Sequence, residues 1–229
     1  MVEMRTGPAL LRAAWFAAAL LTGLAPLASA QAQGAPQGSS QGSSEEARPA
    51  DLSPADRGWV QRVQQTVTAV TTLKARFLQI APDGHTTQGN AWLDRPGRMR
   101  FEYAKPSPLL LVAGGGKLVF NDSQLKQTTS LPLDKTPLGL LLRPDFTLSG
   151  DVTLTGFHHA DGQLQLTLVR TASPGDGSLT LIFSDQPLAL RSWSVIDAQG
   201  RQTRVDLYDI VLGQPLPQTL FNTDIGDAD

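Results

Sequence analysis

Hydrophobic residues in this chain change their period once, and the change decides the class of fold. Val60, Val63, Val67 and Val70 recur at helical spacing, with Leu73 and Phe77 close to the same stripe, while Gln61, Arg62, Gln64, Gln65 and Thr68 take the other side. Ser53 is placed to cap such a helix, and Pro54 suits its first position, where a missing N–H costs nothing. Beyond it the period falls to two. Met99, Phe101 and Tyr103 alternate with Arg98, Arg100 and Glu102, Leu164, Leu166 and Leu168 with Gln163, Gln165 and Thr167, and Leu179, Leu181 and Phe183 repeat the pattern. Further strands are expected at 88–94, 117–121, 124–129, 152–157, 189–196 and 202–211. Turn signals separate them: Asp83-Gly84, Gly114-Gly115-Gly116, Asp161-Gly162, Asp176-Gly177 and Gln199-Gly200. Strands joined by tight turns without intervening helices mean an antiparallel meander, here one large sheet with a long helix against it.

The N-terminus predicts export. Arg5 and Arg12 precede an apolar run from Ala13 to Leu21, and the segment ends in Ala28-Ser29-Ala30, the small-x-small pattern of a signal-peptidase site. The run is well short of the roughly 20 residues that span a bilayer. Residues 1–30 are therefore read as a leader cleaved after Ala30, and 31–50, rich in Gln, Gly and Ser, as a disordered linker. Residues 51–225 form a single β domain. The chain contains no cysteine, so neither disulfides nor an acylated N-terminal Cys can serve it. A net charge of −2 argues against nucleic acid.

Reactive constellations are not apparent. His85 sits beside a turn, and His158-His159 precede one; adjacent strand residues point to opposite faces, poor geometry for one metal. No Gly-x-Ser-x-Gly elbow or phosphate loop is present. Asp94 and Glu102 occupy polar strand positions that a solvated face explains. No catalytic residue, metal or cofactor is expected, and an enzyme acting through His158 or His159 is the remotest reading.

Two apolar features stand out. Trp92 lies beside Leu93, Leu109 to Val112 run without a polar break, and Val119 adjoins Phe120. Both sheet faces must then be covered, or one must line an apolar cavity in a curled, incomplete barrel. Thr136-Pro137-Leu138-Gly139-Leu140-Leu141-Leu142-Arg143-Pro144 reads as a short apolar helix capped by Thr136 and too short to stand alone. It is either a plug in the core or a movable lid over a cavity.

The stretch from Leu73 to Leu142 resembles the LolA-type family of periplasmic carriers of outer-membrane lipoproteins. The resemblance runs through Leu73-Lys-Ala-Arg-Phe77-Leu-Gln79, then Gly89-Asn-Ala-Trp92-Leu-Asp-Arg95-Pro96-Gly97-Arg-Met-Arg100-Phe101-Glu-Tyr103, Pro106, Gly116-Lys-Leu118, Asn121-Asp122, Gln127 and Thr136 to Leu142. It continues more weakly through Leu179 to Phe183 and Asp197 to Thr203. It implies an incomplete antiparallel barrel closed by a long N-terminal helix and a short lid helix. The cavity would take lipoprotein acyl chains from an inner-membrane ABC release complex for an outer-membrane receptor, the carrier being a periplasmic monomer. The family's lid-holding arginine falls on Arg95; Leu138, Leu141 and Leu142 fall on the lid, and Trp92, Met99 and Phe101 on the cavity. Alternatives on the same fold are a carrier or sensor of another lipid and an envelope-stress regulatory module. The tail from Phe221 to Asp229 lacks the proline the family often carries there.

Overall fold

The structure, a computed structural model, describes residues 47–225. The expected leader and all but the last four residues of the expected linker lie outside them. The last of them is held: the Ala50 N–H donates to the Leu154 carbonyl at 2.8 Å, and Ala50 packs against the core.

Helix α1 spans Pro54–Ala69. Ser53 caps it, accepting the Asp56 N–H, while the Asp56 carboxylate takes the Ser53 N–H in return, a reciprocal box. Val60, Val63 and Val67 are buried in the core. The helix ends where Val70, Thr71 and Thr72 set three β-branched residues in a row, a sequence that loses side-chain freedom in a helix and fits a strand. Leu73 and Phe77, close to the helical stripe by spacing, therefore belong to the first strand.

Eleven strands follow in chain order: β1 Thr72–Ile80, β2 Thr86–Asp94, β3 Arg98–Tyr103, β4 Leu109–Gly114, β5 Lys117–Asp122, β6 Gln127–Pro132, β7 Val152–Ala160, β8 Gln163–Arg170, β9 Gly177–Asp185, β10 Leu188–Asp197 and β11 Gln202–Leu212. They form one antiparallel sheet in the order β6-β5-β4-β3-β2-β1-β11-β10-β9-β8-β7. Two-residue turns close the β4–β5 and β7–β8 hairpins, with Gly115, Gly116, Asp161 and Gly162 all at positive φ, the geometry that matches strand twist. Strands β1 and β4 are not among the strands expected from the sequence, although the apolar run Leu109 to Val112 lies in β4.

The register gives the two faces different chemistry. On one lie Leu73, Leu93, Met99, Ala113 and Leu118, successive neighbours across β1 to β5, and beside them Ala75, Ala91, Phe101, Leu111 and Phe120. Leu166, Leu181, Trp193 and Val205 continue this face across β8 to β11. All of these are buried in one cluster. The sheet curls around it. Phe101 on β3 and Trp193 on β10 stand four strand spacings apart, about 19 Å in a flat sheet, yet their ring centroids are 5.8 Å apart. The architecture is thus an open, curled antiparallel sheet with α1 against its concave side, as expected.

The second face is covered only in part. Val112 and Val119 are buried on it, and the C-terminal segment runs over them. Arg100 Nη1 donates to the Leu220 carbonyl at 3.3 Å, Gln218 Nε2 to Asp94 at 3.0 Å, and Thr128 Oγ1 to the Ile225 carbonyl at 3.4 Å. Phe221 is buried there, and its carbonyl would lie 2.6 Å from any Cβ at Gly114. The apolar residues seen on both faces are explained this way, and a tail without proline still docks.

Candidate functional site

Strands β6 and β7 are consecutive in the chain but form opposite edges of the sheet. The segment between them must cross the open side of the curl, and it carries the short apolar helix. Helix α2 spans Pro137–Leu141, with Pro137 at its first position and the Thr136 hydroxyl accepting the Gly139 N–H at 3.2 Å. Leu138, Leu140, Leu141 and Leu142 are all buried in the concave cluster, together with Leu133 before the helix and Phe146 after it. Gly139 permits a close approach: a Cβ there would stand 2.2 Å from the Leu133 carbonyl oxygen.

Arg95 ties this crossing segment to α1. It lies just after β2, buried, and reaches main-chain oxygens on two elements. Nη1 donates to the carbonyls of Val67 and, at 3.3 Å, Val70 at the C-terminal end of α1, where the helix dipole favours a cation. Nη2 donates to the Arg143 carbonyl at 2.6 Å, just past α2. The Gly97 N–H adds a bond to the Leu142 carbonyl at 2.8 Å. Burial lowers the Arg95 pKa from its ordinary value and Asp145 raises it in part; a guanidinium starts so high that it stays charged. Its Nε has no partner among the described residues. Gln64 and Arg170 fasten the same segment, through the Leu148 N–H at 2.8 Å and the Thr136 carbonyl at 3.1 Å.

Beneath α2, Leu138 meets the sheet in a small cavity lined also by Gln79, Phe101, Tyr103, Leu111, Trp193 and Val205. Its volume is ≈ 10 Å³, about the space of one water molecule. In this conformation the leucines of the crossing segment occupy the room a ligand would need.

The structure thus brings together Arg95, Leu138, Leu141, Leu142, Met99 and Phe101 around the concave side. Trp92, read with them, is elsewhere: Ala91 and Leu93 point into the core, so Trp92 takes the other face, half-buried between Lys74 and Arg100. Asp94 also departs from expectation, since it is buried rather than solvated and accepts Arg98 Nε and Gln218 Nε2, each at 3.0 Å. Gln79, Tyr103 and Trp193 also line the concave side, a role the sequence reading does not give them, although the alternation Leu73, Ala75, Phe77, Gln79 carries the signal of a polar side chain on an apolar face. His85 is exposed. His159 pairs with Asp185 at 3.1 Å and meets the Trp59 ring edge-on. Among the described residues no three His, Cys, Asp or Glu side chains are grouped to hold a metal, and no helix is long and apolar enough to cross a membrane.

Residues 68–224 match the family model described as outer membrane lipoprotein carrier protein LolA. The chain belongs to the LolA family. An outer-membrane lipoprotein carrier protein of Azotobacter vinelandii is 30% identical over 185 residues, 75% of this chain and 87% of that protein. One from Leptothrix cholodnii is 32% identical over 170 residues, 70% and 75% of the two chains. Among solved structures, a LolA superfamily protein from Nitrosomonas europaea aligns with a TM-score of 0.41 at 14% identity, covering 72% of this chain and 97% of that one. A DUF1329 family protein from Desulfovibrio piger aligns with a TM-score of 0.47 at 10% identity, covering 73% and 96%. The LolA match spans the end of α1, the Arg95 turn, α2 and the tail.

Proposed function

We propose that this chain is a periplasmic carrier that takes the acyl chains of lipoproteins into its concave apolar face. It accepts them from an inner-membrane ABC release complex and yields them to an outer-membrane receptor. The observation that carries this reading is the crossing segment itself, a leucine-rich strap seated in the sheet's concavity where cargo would lie. Burying a leucine is worth about 1.5–3 kcal/mol, whereas each hydrogen bond that fastens the strap is worth about 1. Apolar burial therefore holds the lid, and only an apolar competitor of similar area displaces it at little net cost. Long acyl chains meet that requirement, at about 0.8 kcal/mol for each methylene buried. A mechanism follows: cargo chains replace Leu138, Leu140 and Leu141 against Phe101 and Trp193, Arg95 lets go of the Arg143 carbonyl, and the return of the leucines helps expel the chains at the receptor. Near-balance between lid and cargo keeps transfer reversible.

The test mixes the purified chain with inner-membrane vesicles bearing an acylated lipoprotein and the release complex. A soluble one-to-one complex is expected with the wild type and none with Leu138→Glu. Lipoprotein that stays in the membrane beside wild-type protein overturns the reading.

A further inference from the structure

Gln79 is a polar side chain on an apolar wall. In the register its direct neighbours are Val205 on β11 and Thr87 on β2, with Trp193 next beyond Val205, and only 7% of it is exposed. Tyr103 accounts for half of its amide: the phenol, itself buried, donates to Gln79 Oε1 at 2.7 Å. Burial raises the Tyr103 pKa far above its ordinary value, so the phenol remains a donor throughout the physiological range. That bond sets the amide's orientation. With Oε1 turned to the tyrosine, Nε2 carries two N–H donors, and they have no partner among the described residues. Nor is Nε2 sealed away, because the fully enclosed unpartnered atoms are Thr72 Oγ1 and Arg95 Nε. Gln79 lines the cavity beneath Leu138.

Two unmatched donors in a cavity whose lining is otherwise apolar except for Tyr103 and Thr203 are costly unless an acceptor arrives. Acyl chains bring one: their methylenes have no polar atom, but the ester or amide that joins each chain to its head carries a carbonyl oxygen. We propose that Gln79, oriented by Tyr103, is a specificity-determining residue that donates from Nε2 to an acyl carbonyl of the cargo. This inference rests on the carrier reading. Gln79 pairs with Thr87 near one end of β1, whereas Thr72 pairs with Asp94, beside Arg95, at the other. The carbonyl contact and the Arg95 fastening therefore lie at opposite ends of the concavity, about 23 Å apart along the strand. The contact fixes how far a chain enters, and it distinguishes acyl cargo from hydrocarbon or ether lipids of equal length.

The test is a cycle between residue and ligand. Binding to the purified chain is measured for a peptide bearing an S-diacylglyceryl cysteine and for its dialkyl ether counterpart, which keeps the chains and loses the ester carbonyls. Wild type is expected to bind the ester about three- to tenfold more tightly. Gln79→Met, similar in length but without donors, is expected to bind both alike, its ester-over-ether preference lost. Tyr103→Phe frees the amide to turn and is expected to reduce the ester-over-ether preference ratio; this second variant reports even if Gln79→Met does not fold. Equal binding of ester and ether by wild type, or a preference that survives Gln79→Met, overturns the inference and leaves the carrier reading intact. If wild type binds neither peptide, the carrier reading falls and this inference with it.

Discussion

Arg95 holds a buried positive charge against main-chain oxygens rather than a carboxylate, and that choice has consequences. Carbonyls offer no full counter-charge, so beyond the α1 dipole and the partial pull of Asp145 the guanidinium gains hydrogen bonds in return for its desolvation, and one of its nitrogens has no partner among the described residues. The fastening is firm in direction but modest in energy. Arg95→Leu is expected to destabilise the fold by about 1–3 kcal/mol. It is also expected to speed amide hydrogen exchange across 137–143 at least tenfold, read by mass spectrometry; unchanged exchange there would sink the latch assignment. At this scale the sequence was legible where a motif carried meaning. The roles of Arg95, Leu138, Leu141 and Leu142 come from the family resemblance; the residues alone give only an Arg-Pro turn and a short apolar helix that is either plug or lid. Trp92 was misplaced because a large apolar side chain beside Leu93 looks like core, whereas strict alternation sends neighbours to opposite faces. Gln79 is reached by the alternation from Leu73 through Ala75 and Phe77, but that signal is masked because Leu73 and Phe77 also fit the helical stripe.

Among elements, α2 is the most dependent on its surroundings. Five residues do not sustain a helix in water, so it exists only while its leucines are seated. Gly139→Ala adds the Cβ that the Leu133 carbonyl forbids, and here the better helix former is the worse choice. The variant is expected to melt at lower temperature yet take up an acylated peptide faster by stopped-flow fluorescence. An uptake rate equal to wild type would mean that seating of α2 does not gate entry. The β10–β11 turn gives a pH-dependent counterpart. Burial pushes the Asp197 carboxyl up, but bonds from the Arg201 and Gln199 N–H groups and the Arg201 side chain outweigh it, leaving its pKa below the ordinary value. The stability this supplies is complete above the usual carboxylate range and vanishes as pH falls through the depressed value. Thermal melts of wild type between pH 6 and 3 should thus lose more than those of Asp197→Asn, and parallel losses would dismiss the effect. The elements themselves were readable from period and turn residues. The α1–β1 boundary was not, because Leu73 and Phe77 satisfy helical spacing as well as alternation.

At the scale of the whole molecule, the open curl leaves two edges and two faces to manage. The tail manages part of one face, covering Val112 and Val119 with Phe221. Removing residues 218–229 is expected to lower the melting temperature by about 4–8 °C, from the burial of one aromatic side chain in a domain of this size; an unchanged melt would make the tail an ornament of the surface. Apolar residues on both strand faces require either a cover or a cavity, and it is the family resemblance that implies the curled, incomplete barrel. The pairing of β1 with β11 and the tail's course were not, since both join residues far apart in sequence and leave no local trace. The order of the strands has one mechanical consequence. Because β6 and β7 are the free rims of the curl and the α2 segment is the covalent span between them, anything that widens the curl draws that span taut, like a cord through a purse. The turns around α2 can lengthen by uncoiling, so for the carrier proposed above the bulk of the load and the shape of its cover become one variable.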